Sequence, residues 1–270
     1  TSSPILERVS LVGNDATDVG GGMFCFGGSN PVIGNSALYN NHAWIDQPEP
    51  IYLAAGTAND LTISNSNVEF YLDSITVMDN STVTDNGGII NVDPMFIDAE
   101  NGDMRILASS RMINAGHPDS TDSDGTRADI GAYPFLNNYS GPIWYISESG
   151  NDTTATGASN DPFRSIQAAL NFGSDNDTAF VAAGNYDENL VYRYDESESV
   201  RSVSLVGESR ETTIIDGQSE AICIKFPANG YSSLTVKGFT IRNGYADGES
   251  EDGSYNQGGG ICIYQNYSAI

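Results

Sequence analysis

The chain has 270 residues, 39% of them hydrophobic and 29 of them glycine, and its 36 acidic against 11 basic residues give a net charge of −25. That charge repels nucleic-acid phosphates and anionic membranes, and no run of about eighteen apolar residues is present to span a bilayer. Neither nucleic acid nor membrane insertion is therefore expected.

Apolar runs are short, three to six residues of Val, Ile, Leu, Thr and Tyr between Gly, Asn, Asp or Ser, which is the strand-and-turn signature of an all-β protein. Residues 3–16, SPILERVSLVGNDA, align without a gap onto 30–43, NPVIGNSALYNNHA, matching Pro4 with Pro31, Leu11 with Leu38 and Asn14 with Asn41. One structural turn is thus about 27 residues. A glycine triplet recurs as well, GGGMFCF at 20–26 and GGGICIY at 258–264.

In chain order, strands are expected at 9–12, 22–26, 31–33, 51–53, 61–63, 68–72, 75–78 and 89–92. A unit that recurs every 27 residues cannot bury its apolar face alone, and stacking copies solves that problem. The expected fold is a parallel β-solenoid with Val, Ile and Leu ladders inside and Asn and Ser decorating the turns. Residues 93–135 are denser in acids and less regular, and read as a segment that closes a solenoid end. A short polar linker follows at 136–142, and a strand at 143–149 opens a second region. The spacing there predicts a capping helix over 162–172, with Asp161 as N-cap, Pro162 at its first position and Gly173 at its end. Strands resume at 179–183, 189–192, 202–206, 213–215, 221–226, 234–236, 239–242 and 260–264. TIIDG at 213–217 and TIRNG at 240–244 repeat the 27-residue offset.

WYISESGND (144–152), DPFRSIQAAL (161–170), FVAAGNYDENL (180–190), TTIIDG (212–217) and LTVKGFTIRNG (234–244) resemble the opening of a right-handed parallel β-helix of the pectate-lyase-like superfamily, in its secreted, repeat-rich bacterial members. NVDPMFIDAENGDMRILASSRMINAG (91–116) and DGTRADIGAYPF (124–135) resemble the segment that closes one. The resemblance implies that 1–135 is the C-terminal half of one β-helix domain and 143–270 the N-terminal half of a second, a window across two tandem domains whose signal peptide lies elsewhere. A joined helix of ten turns would be about 48 Å long, beyond the roughly 25 Å reach of the linker. The open edges are then expected to pair head to tail between molecules.

The densest candidate site is DSTDSDGTRAD at 119–129, which places Asp119, Asp122, Asp124 and Asp129 around Gly125. Calcium takes about six to eight oxygens, which alternating acids at a glycine turn can supply. The alternative is a metal-free loop, with Arg127 and Asp129 in an ion pair. A second acidic stretch at 247–257 reads as a solvated loop or an inserted binding loop. Cys25, Cys223 and Cys262 are too few and too widely spaced for a disulfide framework or a zinc site and read as buried thiols. Cys223 and Cys262 are expected to stack on neighbouring strands.

Many members of that superfamily cut acidic polysaccharides, which requires a base beside calcium or paired carboxylates. With Lys225 and Lys237 the only lysines, and His42 and His117 isolated, no catalytic set is assigned. The sequence points to a non-catalytic, extracellular segment of a secreted or surface protein, structural or adhesive. It would contact a polysaccharide or cell-surface glycan through outward aromatics among Phe24, Phe26, Tyr264 and Tyr267. A polysaccharide lyase or glycoside hydrolase is the alternative.

Overall fold

Three-residue strands with one apolar face are stable only when stacked, and the chain stacks them in parallel. The computed structural model describes residues 2–44, 47–192, 202–226, 235–246 and 258–263. The acidic stretch at 247–257, Tyr264 and Tyr267 lie outside the described residues. The fold is nearly all β, a β-solenoid of stacked parallel sheets with a single short α-helix. It divides into two compact units, Thr1–Leu136 and Asn137–Ile270.

In the first unit the repeat fixes the register. Ile5 pairs with Val32, Ser10 with Ala37 and Asp15 with His42, each 27 residues on, as the sequence offset requires. Later turns depart from that spacing, to 30 residues where Val32 pairs with Thr62 and to 22 where Asp60 pairs with Thr82. One sheet runs Ile5–Glu7, Val32–Gly34, Asp60–Ser64, Thr82–Asp85; a second Ser10–Val12, Ala37–Tyr39, Asn67–Val68; a third Met23–Cys25, Ile51–Leu53, Ile75–Val77. Alternate side chains point inward and stack: Leu6 on Ile33 on Ile63, Leu11 on Leu38 on Val68, Met23 on Ile51 on Ile75. These residues form one hydrophobic core.

The corners between sheets carry a second, polar ladder. Ser36, Asn41, Asn59, Ser66 and Asn67 stand at or beside the turns and are almost fully buried. Each ties one turn to another: the Asn14 side chain donates to Asn41 Oδ1 at 2.8 Å, Ser36 N to Ser66 Oγ at 3.1 Å, and Val92 N to Asn67 Oδ1 at 2.9 Å. A buried backbone N–H without a partner costs about 1–3 kcal/mol, so these side chains replace the water an exposed turn would use. Arg8, Asn35 and Asn65 hold the same left-handed corner in successive turns, with φ of 55°, 46° and 44°.

The glycine triplets let backbone lie flush on backbone. Gly21 N donates to Glu49 O at 2.9 Å and Gly22 N to Pro50 O at 3.1 Å, and a Cβ on Gly21 would overlap the backbone of His42. The second triplet does the same, its Gly259 against Gly244. The following strands nevertheless differ in phase: Cys25 is buried with Phe24 exposed, whereas Cys262 is buried between exposed Ile261 and Ile263.

In the second unit, Ile143–Ile146, Thr178–Val181, Ser204–Gly207 and Val236–Lys237 form one parallel sheet. Gly184–Asp187, Thr213–Asp216 and Thr240–Arg242 form another, and Leu190–Val191, Ile224–Phe226 and Ile261–Ile263 a third. Ile214 pairs with Thr240, so the 213–217 and 240–244 repeats meet one residue out of their 27-residue alignment. All three cysteines are free and buried. Cys262 faces Lys225 rather than Cys223, whose thiol contacts Arg242 O at 3.2 Å.

The helix spans Ile166–Phe172 with Ser165 as N-cap and Gly173 as C-cap. It starts four residues later than expected because 158–163 is used in bridging: Phe163 bridges Ile146 and Asp161 bridges Ala158. The Asp161 carboxylate accepts from Thr156 N instead of capping the helix. All seven helix residues are buried, Gln167 and Asn171 included.

Gly21→Ala should lower the stability of the first unit by about 1–3 kcal/mol, read from the denaturant midpoint. Gly260→Ala, where a Cβ meets nothing closer than 4.0 Å, should lower the stability of the second unit, to which it belongs, far less.

Candidate functional site

The acidic loop at 119–129 is organised by its own protein donors. Asp122 is buried; its Oδ1 pairs with Arg8 Nη1 at 2.6 Å and its Oδ2 accepts from Asp129 N at 2.8 Å. Asp129, also buried, accepts from Asn114 N at 2.6 Å and from Phe135 N at 2.7 Å. Asp124 accepts from Thr126 N and Oγ1, and Asp119 is exposed with its N–H on His117 Nδ1. Among the described residues no three His, Cys, Asp or Glu side chains are grouped as a metal-holding set. Arg8 supplies the positive charge at Asp122, and Arg127 Nε donates to Gly116 O at 2.7 Å.

This segment reaches back to the first turns. Gly131 N donates to Asn35 O, Ala132 N to Ser10 Oγ, and the second Arg8 amine to Thr121 O. It therefore runs along the corner where Arg8 and Asn35 turn left-handed. The segment is a strap tied to this corner by the Arg8–Asp122 ion pair, whose carboxylate end is buried.

The third sheet of the first unit exposes an aromatic row. Because side chains alternate, Phe24, Tyr52 and Thr76 point outward on three successive strands in register. The Phe24 and Tyr52 rings lie 5.8 Å apart and only 12° from parallel, and Phe26 joins Phe24 at 5.9 Å. Phe24 and Phe26 are 50% and 67% exposed. Glu49 lies beside the row, its carboxylate accepting from Thr76 Oγ1 at 2.5 Å and Gly20 N at 2.7 Å. No Lys or Arg occurs between Arg8 and Arg105, so the strands that build this face carry no cation. Phe24 and Phe26 are two of the four aromatics among which outward rings were expected; Tyr52 was not among them, although it follows Phe24 by about one turn.

Two arrangements in the second unit were also missed. Tyr145 and Phe180 are neighbours on the outer face of its first sheet, ring centroids 6.1 Å apart. On the second sheet Asp187, Asp216 and Arg242 share one register row. Arg242 Nε lies 2.6 Å from Asp216 Oδ2, and Asn243 and Gln218 N also donate to that carboxylate. The Arg242 hydrogen bond, then those of Asn243 and Gln218, hold Asp216 below the usual carboxylate range. Arg242 also donates to Asn185 Oδ1 at 3.2 Å, which ties it to the sheet wall. Burial pushes the Cys25 and Cys223 thiols up, away from nucleophilic thiolates.

Parallel strands in register, apolar ladders within and buried polar corners define a protein of the parallel β-solenoid class. A family model described as Protein of unknown function (DUF1565) matches residues 148–210, the stretch that holds the helix and the first turns of the second unit. No curated protein and no solved structure matches the chain.

Breaking a buried ion pair by removing one partner costs about 3–5 kcal/mol. Arg8 is partly exposed, so Arg8→Ala should fall at the low end of that range and lower the melting temperature. Calcium should leave the wild-type melt unchanged, because the Asp122 and Asp129 oxygens already have donors. A calcium-dependent rise lost in Asp122→Asn would instead place the metal there.

Proposed function

We propose that this chain is a non-catalytic, extracellular segment of a parallel β-helix protein, structural and adhesive in role, that contacts a neutral polysaccharide or cell-surface glycan. The observation that carries the reading is the outward row of Phe24, Tyr52 and Phe26. The exposed Phe24 and Phe26 rings, with half-buried Tyr52 beside Phe24, offer an apolar surface to the C–H face of a pyranose, while Glu49 and Thr76 beside them offer oxygen atoms to its hydroxyls. A face built from strands without Lys or Arg favours an uncharged sugar over a uronate. The solenoid supplies rigidity, since each ring is fixed by the register of the strand beneath it.

A second reading, a polysaccharide lyase or glycoside hydrolase of pectate-lyase-like fold, is favoured by one observation: Arg242 stands beside Asp216 with Asp187 in the same row. The two readings separate in one assay series. Binding to insoluble neutral polysaccharides should be measurable with no release of reducing ends or unsaturated uronates from neutral or acidic polymers. Phe24→Ala and Tyr52→Ala should each weaken binding about tenfold, on the scale of one lost aromatic contact, with little change in melting temperature. Turnover abolished by Asp216→Asn, with binding indifferent to Phe24→Ala, would establish the enzyme instead.

A further inference from the structure

Each unit has a turn with no strand on its outer side among the described residues. In the first unit it is the first turn, Ile5–Glu7, Ser10–Val12 and Met23–Cys25, which stands at the margin of all three stacked sheets. In the second unit Val236–Lys237, Thr240–Arg242 and Ile261–Ile263 stand at the corresponding margins. The apolar ladders are open at both places. Leu6, Leu11 and Met23 are half-buried, whereas Ile33, Leu38 and Ile51, the next rungs of the same ladders, are 0% exposed. Val236 and Ile241 are likewise half-buried on fully buried Leu205 and Ile215, and Ile261 and Ile263 are 42% and 75% exposed on buried Ile224 and Phe226. Unpaired strand margins backed by open apolar rungs invite the addition of further strands.

We propose that these two margins fit each other between copies of this chain, the 236–263 turn of one copy stacking on the 5–25 turn of another. This assignment is independent of any glycan contact. The two turns are built alike. A left-handed corner follows the first strand at Arg8 and at Gly238, with φ of 55° and 80°; another follows the second strand at Gly13 and at Asn243, with φ of 64° and 53°. A third precedes the last strand at Gly20 and at Gly258, with φ of 68° and 98°, where each glycine triplet begins. The loop between the second and third strands is longer in the later turn, and its extra residues belong to the stretch that includes 247–257. Matching corner to corner sets Val236 on Leu6, Lys237 on Glu7, Ile241 on Leu11, Ile261 on Met23 and Ile263 on Cys25. The apolar ladders then run on across the contact at the ordinary strand spacing of about 4.8 Å. Lys237 and Glu7, both exposed, place opposite charges side by side, which favours this register. Gly238 falls on the Arg8 corner and brings no side chain against the strap. The contact is head to tail and every copy carries both halves of it, so copies close into rings or extend as open chains.

The test is sedimentation of the full chain over a range of concentrations at about 0.15 M ionic strength, where repulsion between copies of net charge −25 is screened. The weight-average mass should rise with concentration above the 28.7 kDa of one chain. Ile263→Lys puts a charge on the most open apolar rung and should weaken association about tenfold or more. Its melting temperature should stay that of the wild type, because Ile263 is exposed within one copy. Glu7→Lys and Lys237→Glu should each weaken self-association about two- to fivefold. An equimolar mixture of those two variants should regain it, since every margin then meets the opposite charge. A chain that stays monomeric at every concentration overturns the proposal. Association that Ile263→Lys leaves intact, or charge-reversed variants that do not recover on mixing, puts the contact elsewhere and overturns it as well.

Discussion

Every turn of this protein must lie one strand spacing from the next all the way round, corners included. Strand segments meet that constraint through ordinary parallel pairing, about 4.8 Å apart. Corners cannot, because a bend points its N–H and C=O groups out of the ladder, and here the bends are buried. Ser36, Asn41, Asn59, Ser66 and Asn67 resolve the conflict by bonding to backbone or side chains of other turns. Where no side chain fits, glycine stands, as at Gly21 against His42 and Gly259 against Gly244. The apolar ladders Leu6–Ile33–Ile63 and Leu11–Leu38–Val68 supply the larger share of burial free energy. Their register, however, depends on the corners keeping step.

Edges follow from the same constraint, and the chain manages some of them with side chains. Gln167 stands in for a strand at Val191, and the helix that carries it is buried along its whole length. In the first unit the strap from 117 to 135 runs back to the Arg8 and Asn35 corner and is buckled by the Arg8–Asp122 pair. In that strap the Asp122 and Asp129 carboxylates accept from backbone amides, and Asp122 also from the Arg8 guanidinium.

Much of the fold was legible because its signals are local and repeat. The offset between 3–16 and 30–43 gave the first register to the residue, and the short β-branched runs gave the strand class. What stayed hidden depends on insertions and on distant partners. The helix start moved to Ile166 because Phe163 bridges Ile146, a contact no local capping rule contains. Of the strand expected at 68–72 only Val68 is in a strand, Asn67–Val68, before the chain enters a 3-10 turn at Tyr71–Ser74. Cys223 and Cys262 share a local motif, yet the strand register pairs Cys262 with Lys225. Of the outward aromatics, Phe24 and Phe26 stood among the four sequence candidates, whereas Tyr52, Tyr145 and Phe180 required the register. The Gln167–Val191 pairing joins residues whose types alone carry no signal.

The functional reading rests on that scaffold, since an aromatic row is a binding surface only if its rungs are rigid. The most direct test of the account is residue-resolved hydrogen exchange at the corner amides of Val9, Asn14, Ser36, Asn59 and Val92, each of which donates to a side chain of another turn. If buried polar corners hold the turns in register, these amides will be protected as strongly as the mid-sheet amides of Val32 and Thr62. If they exchange at the rate of exposed loop amides while the strands stay protected, the corners are not what keeps the turns in step.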